Sequence, residues 1–277
     1  MHDSTKVLPR LDAKIARDIS LSATQKLMEC NKASDIIGTY IVTILEQHSN
    51  VLLFPFSRTD IWGFVGKYEN KVFSCINTSI PLEEQVFVAA HELYHIWFNG
   101  HEELILSKDI EGTEISGTQL NEQKANRFAA EFLVQATLLK AEITMFSIKP
   151  EKIGIKTVLQ LANSFTVPYR SMVKRLFEIE IITRKQAIEL LGQPEQFIDH
   201  WRQRLGYGLP HPTKKKKLGN LLDLAMQAFE SDLITRDKLD YLLEMVGIEP
   251  NQLGLSADVE QYLFPPDGVK GNQEESE

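Results

Sequence analysis

Cysteine is scarce in this 277-residue chain: only Cys30 and Cys75 occur, far apart and without metal-site or redox spacing. Two free thiols acting as buried filler in a reducing compartment fit that usage better than a disulfide framework. Long apolar runs are missing too, since no uninterrupted stretch approaches the roughly 18 residues that span a bilayer. The opening residues, MHDSTKVLPRLDAK, lack a basic start leading into an apolar core. Neither export nor membrane spanning is therefore expected, and the cytoplasm is the expected location. Nor is there an excess of positive charge: the net charge of −8 argues against a surface given over wholly to nucleic acid, while leaving one basic face open. Internal repeats, a Gly-rich phosphate loop and a Ser/His/Asp triad are likewise absent from the sequence.

What the chain does contain is ordinary globular material, 43% hydrophobic and 25% charged, enough for one substantial core plus a smaller module. Its most apolar run, 86–98 (VFVAAHELYHIWF), carries the pattern H-E-x-x-H in His91, Glu92 and His95. With no Pro or Gly between the histidines, the run reads as a helix. Residues four apart share a helix face, so both imidazoles can meet one Zn²⁺ with Glu92 beside them. At average residue usage the pattern arises by chance in roughly one chain in a hundred of this length, and the bland reading is a solvated helix with two incidental histidines. The apolar flanks argue against that reading.

A catalytic zinc takes three protein ligands and keeps one position open, so a third donor is expected elsewhere. Glu122 is the candidate, near the start of a second amphipathic helix over 121–131 and far enough downstream of His91 for that helix to cross the first. Asn126 lies one turn further on the same face, where its oxygen can accept the ring N–H of a ligand histidine and set the tautomer.

HELYH followed by NEQKANRFAAEFL resembles the ImmA/IrrE family of metallo-endopeptidases, whose usual pattern is H-E-x-x-H and then E-x-x-A-N-x-F-A-A-E-L-L. The resemblance covers about 54–176, including the Ile76-Asn77 pair on an expected strand before the histidine helix. It implies His91, His95 and Glu122 as Zn²⁺ ligands and Glu92 as the catalytic carboxylate. It also implies a regulatory protease whose substrate is often a helix-turn-helix repressor of the Xre type. Family members commonly have Gly where Tyr94 stands and Met-Pro where Val134-Gln135 stand, differences that touch packing and the next turn and not the ligands.

In chain order, 11–30 and 33–47 read as amphipathic helices covering the core, 51–56 as a short apolar strand, and 62–67 with 71–76 as a hairpin around 68–70. The edge of this sheet is where an extended peptide is expected by strand addition, against the plain alternative of a structural sheet. Pro81, Glu83 and Glu84 suit the first turn of the histidine helix, and Gly100 suits its end. His101, Glu102 and Glu103 are rival metal donors or oxyanion contacts, although a solvated helix exit accounts for them, as it does for Asp109, Glu111 and Glu114 in the loop to 118. Short helices follow at 137–145, 156–165, 168–177 and 183–191. The segment 161–176 looks like a helix-turn-helix, with Ala162 at the crossing and Val167 in the turn. In a DNA reader its second helix offers Arg170, Lys174 and Arg175 to a groove; the structural alternative is three helices walling the first domain. A Gly/Pro-rich stretch, 192–213, holds a helix at 195–204 and marks a boundary. The basic run 214–217 then opens an αα-hairpin of 218–229 and 236–246, an interaction module, before a polar tail expected to be disordered.

The expected fold is α+β: a zincin-like domain at 1–145, a helix-turn-helix-like subdomain at 146–192, a helical module at 193–264 and the tail at 265–277. The expected function is an intracellular zinc endopeptidase in which Glu92 moves the proton of the attacking water. The competing class is a non-catalytic regulator with structural zinc that binds DNA or sequesters a repressor, as in a toxin–antitoxin or phage-related pair.

Overall fold

The computed structural model describes residue 8 and residues 11–58, 60–68, 71–99, 104–108 and 117–253. The chain divides into two compact units, Met1–Lys217 and Leu218–Glu277.

In the first unit, α1 (Ala13–Glu29) starts where the Asp12 carboxylate accepts from Lys14 N at 2.9 Å, and it buries Ile19, Ala23 and Leu27. The single helix expected over 33–47 is instead a 3₁₀ turn, Gly38–Tyr40, followed by α2 (Ile41–Glu46). The break sits at Gly38, whose φ of +48° no right-handed helix can pass through; a Cβ there would also lie 3.3 Å from Thr166 Oγ1.

Strands β1 (Asn50–Phe54), β2 (Ile61–Tyr68), β3 (Lys71–Asn77) and β4 (Leu104–Lys108) form a sheet in the order β4-β2-β3-β1, with the two-residue β5 (Lys217–Leu218) next to β1. The hairpin β2–β3 and the pair β2–β4 are antiparallel, whereas β1 and β3 are parallel. The residues between β2 and β3, 69 and 70, lie outside the described residues. β4 falls in a stretch that reads from sequence as loop, a correction whose signal is the run Leu104-Ile105-Leu106. Asn77 ties the sheet's end together: its Nδ2 donates to Arg58 O (3.0 Å) and Ile61 O (2.7 Å), and its Oδ1 accepts from Phe56 N (3.1 Å) and Ser79 N (2.8 Å).

Against this sheet lies α3 (Leu82–Phe98), crossed by α4 (Gly117–Leu133). Their contact is aromatic, with the Phe128 ring centroid 5.6 Å from Tyr94, 5.8 Å from Trp97 and 5.4 Å from Phe132. Helices α5 (Ala136–Met145), α6 (Ile155–Phe165), α7 (Tyr169–Glu178), α8 (Arg184–Leu191) and α9 (Glu195–Arg204) follow. One hydrophobic core runs without interruption from Leu8 to Ile198, so the helices after residue 145 share the interior of the sheet and α3.

Beyond α9 the Gly/Pro-rich stretch returns along the first turn of α3. Arg202 pairs with Glu83 at 3.2 Å, Gln85 Nε2 donates to Thr213 Oγ1 at 3.0 Å, and Lys214 N donates to Thr78 O at 2.9 Å. The basic run 214–217 therefore does not open a helix: Lys214 has φ +50°, Lys217 pairs with Glu46, and the next helix begins at Leu221.

The second unit is described as a hairpin of α10 (Leu221–Glu230) and α11 (Arg236–Val246) closed on Ala225, Leu239 and Leu243. The tail, 265–277, lies outside the described residues. Among the described residues no helix is long and apolar enough to cross a membrane.

Candidate metal centre

Pro81 occupies the N-cap of α3, with Glu83 and Glu84 in the first turn, where a helix favours negative charge. From Gln85 to His95 every residue of α3 is buried, so the polar residues of the motif are held inside the fold and away from solvent. His91, Glu92 and His95 are 1%, 0% and 1% exposed. Burying three such groups is costly unless they are used or paired.

The crossing of α3 and α4 pairs the two histidines. His91 Nε2 and His95 Nε2 are 3.1 Å apart, and the Glu122 carboxylate reaches them at 3.1 and 3.3 Å. Oε2 of the carboxylate faces His91 and Oε1 faces His95, so the three side chains converge on one point. A zinc ion about 2.0–2.2 Å from each of three such atoms in tetrahedral geometry separates them by about 3.4 Å. The donor set and its spacing fit a divalent ion of that kind.

Electrostatics agree with that geometry. Burial raises the Glu122 carboxyl, but hydrogen bonds and charge from His91 and His95 outweigh it and hold the group at about 2. Asn126, one turn along α4, accepts at 2.8 Å from His91 Nδ1, which leaves the Nε2 lone pair facing Glu122 and His95.

Glu92 lies on the sheet side of α3. A Cβ built on Gly63 of β2 would fall 3.0 Å from Glu92 Oε1, and burial together with the Glu92 charge pushes the Cys75 thiol on β3 up to about 12. Sequence reasoning did not single out Gly63; the available signal was a glycine inside a strand pattern.

The three basic residues offered to a nucleic-acid groove fare differently. Arg170 is exposed and donates to Leu191 O at 3.4 Å, and Lys174 is half-buried. Arg175 is a correction: it is 1% exposed, its Nε donates to Val134 O at 2.8 Å, and its Nη2 pairs with Glu131 at 2.5 Å. The arginine links α7 to α4 and reaches no groove, because the helix face that carries it is the face turned toward the core. His101, Glu102, Glu103, Asp109, Glu111 and Glu114 lie outside the described residues.

A small mixed sheet under a helix bearing H-E-x-x-H, crossed by a second helix bearing the third donor, is the architecture of a zincin-like metallopeptidase domain. Residues 46–177 match the family model described as Peptidase_M78, IrrE N-terminal-like domain. The match opens at the end of α2 and closes in α7, so it takes in strands β1–β4, both motif helices and the α6–α7 pair. A search of curated proteins finds no match to the chain.

Proposed function

We propose that the protein is an intracellular zinc-dependent endopeptidase that cleaves a helix-turn-helix repressor of the Xre type. The observation that carries the catalytic part is Glu92: a fully buried carboxylate one residue from His91, beside three converging metal donors. A purely structural ion needs the donors but has no use for that fourth group.

His91, His95 and Glu122 would hold the ion, which would supply Lewis acidity toward the scissile carbonyl and toward water. Glu92 takes the proton of the attacking water and hands it to the leaving amine nitrogen, so a single carboxylate serves as base and then as acid. Asn126 keeps His91 in the tautomer that presents Nε2 to the ion. β4, at the end of the sheet order, offers an edge along which an extended peptide adds as a further strand.

Peptide bonds look alike to such a centre, so selectivity comes from recognition of the folded partner by the helices after residue 145. The exposed Leu224, Leu233, Tyr241 and Met245 of the second unit support that role. The repressor itself is suggested by the resemblance noted in the sequence.

The test is Glu92→Gln, nearly the same size but unable to carry the proton. The purified variant is expected to retain one zinc per chain by elemental analysis, to capture the repressor in a pull-down, and to leave it uncut. Relief of the target promoter by this variant with the repressor intact would favour the non-catalytic regulator instead.

A further inference from the structure

β2 contains two glycines, Gly63 and Gly66, in a strand where glycine packs nothing and costs backbone entropy. Gly66 has a local explanation, since a Cβ there would fall 2.4 Å from Cζ of Phe73, whose ring lies across it. Gly63 has a different one. Its Cβ would meet Val88 Cγ1 of α3 at 2.6 Å, Cys75 O of β3 at 3.0 Å and Glu92 Oε1 at 3.0 Å.

Those three neighbours differ in how readily they yield. Cys75 O is backbone in a paired strand, and Val88 is β-branched on a helix, with one strongly preferred rotamer. Glu92 Oε1 is the far end of a flexible side chain and moves first. The register of β2 against β4 also shifts between Ile61 and Gly63, so the pairing is irregular at this point of the sheet.

We infer that Gly63 is a positioning residue for Glu92: the missing side chain leaves a slot between β2 and α3 in which the carboxylate is held at the distance from the metal donors that its proton transfer needs. This rests on the peptidase reading above. A methyl group in the slot pushes the carboxylate away before it disturbs His91, His95 or Glu122, because the three atoms nearest the added Cβ belong to Val88, Cys75 and Glu92.

The test uses the full-length, zinc-loaded protein. Gly63→Ala alone collides with Val88, so the informative variant is Gly63→Ala/Val88→Ala, with Val88→Ala as its control. Val88→Ala is expected to keep kcat within about threefold of the parent. The double variant is expected to bind one zinc per chain and to lose about 10- to 100-fold in kcat with KM little changed, since displacing a general base touches the proton transfer and not ground-state binding. In a Glu92→Gln background the same pair of changes is expected to cost nothing further, whereas a general loosening of the fold multiplies both losses. An unreduced kcat relative to Val88→Ala, or independent losses at positions 63 and 92, overturns the assignment. A second readout is independent of turnover: the affinity of a peptidyl hydroxamate, which needs a carboxylate acceptor beside the metal, measured by calorimetry. Glu92→Gln and the double variant are expected to weaken it by similar factors. If the parent binds the hydroxamate but cuts no substrate, the peptidase reading fails while this comparison still decides for or against Gly63.

Discussion

Replacing Arg175 by methionine removes a cation buried where α7 meets α4. Methionine keeps the unbranched stem and adds no polar atom, so the cost lies mainly in the groups left behind: Val134 O, now 2.8 Å from Arg175 Nε, and the Glu131 carboxylate, 2.5 Å from Nη2. Both side chains of the ion pair are shielded, at 1% and 9% exposure, so screening by solvent does not erase the effect. Breaking such a pair costs about 3–5 kcal/mol. Glu131 retains Arg127 at 2.7 Å, which points to the lower end, about 3 kcal/mol. For a unit of this size that lowers Tm by roughly 6–12 °C. All three tryptophans, Trp62, Trp97 and Trp201, precede Lys217, so intrinsic fluorescence in urea follows the first unit alone. Glu131→Met should also destabilise, and the double variant should fall short of the summed losses by about 2 kcal/mol, because both members of the closest pair are then gone while Arg127 and Glu178 keep each other at 3.1 Å. A loss below about 1 kcal/mol for Arg175→Met, or strict additivity, would refute the reading of Arg175 as a structural ion between the two helices.

Asn126→Ala should weaken zinc binding about 10- to 100-fold in competition with a fluorescent chelator, while Asn126→Asp, which keeps an acceptor for His91 Nδ1, should recover most of it; unchanged affinity in the alanine variant removes Asn126 from the site. With its thiol pushed up to about 12, Cys75 should hold about one part in ten thousand as thiolate at pH 8, so iodoacetamide should reach it only after unfolding. Native-state labelling of Cys75 as fast as that of half-buried Cys30 would contradict its placement against β2 and α3.

The meeting of His91, His95 and Glu122 was legible because its information is local. Helical periodicity puts His91 and His95 on one face, and an amphipathic helix at the right remove carries Glu122 and Asn126. Elements whose cause is distant were not legible. Gly38 breaks the 33–47 helix where the chain turns against Thr166, which no window around residue 38 contains. The parallel pairing of β1 with β3 skips the intervening strand, so adjacency in sequence points the wrong way. Arg175 sat among exposed-looking basic residues, and its partner Glu131 is 44 positions away on a helix chosen for its metal donor. Charge on a short amphipathic helix reads as solvent-facing until the neighbouring helix is known.

The stretch that returns along the first turn of α3 has a consequence for biosynthesis. Thr78 Oγ1 donates to Lys215 O across 137 positions, Gln85 reaches Thr213 across 128, and Glu83 reaches Arg202 across 119. A ribosome making this chain releases both histidines and Glu122 long before it has made the residues that pin the start of their helix. During that interval the nascent polypeptide carries all three candidate metal donors, two of them on a helix whose first turn has yet to be fastened. Synthesis of the chain through residue 215 is then the step that finishes the site, which ties a fully held site to the emergence of 202–215 and not to the moment its donors emerge.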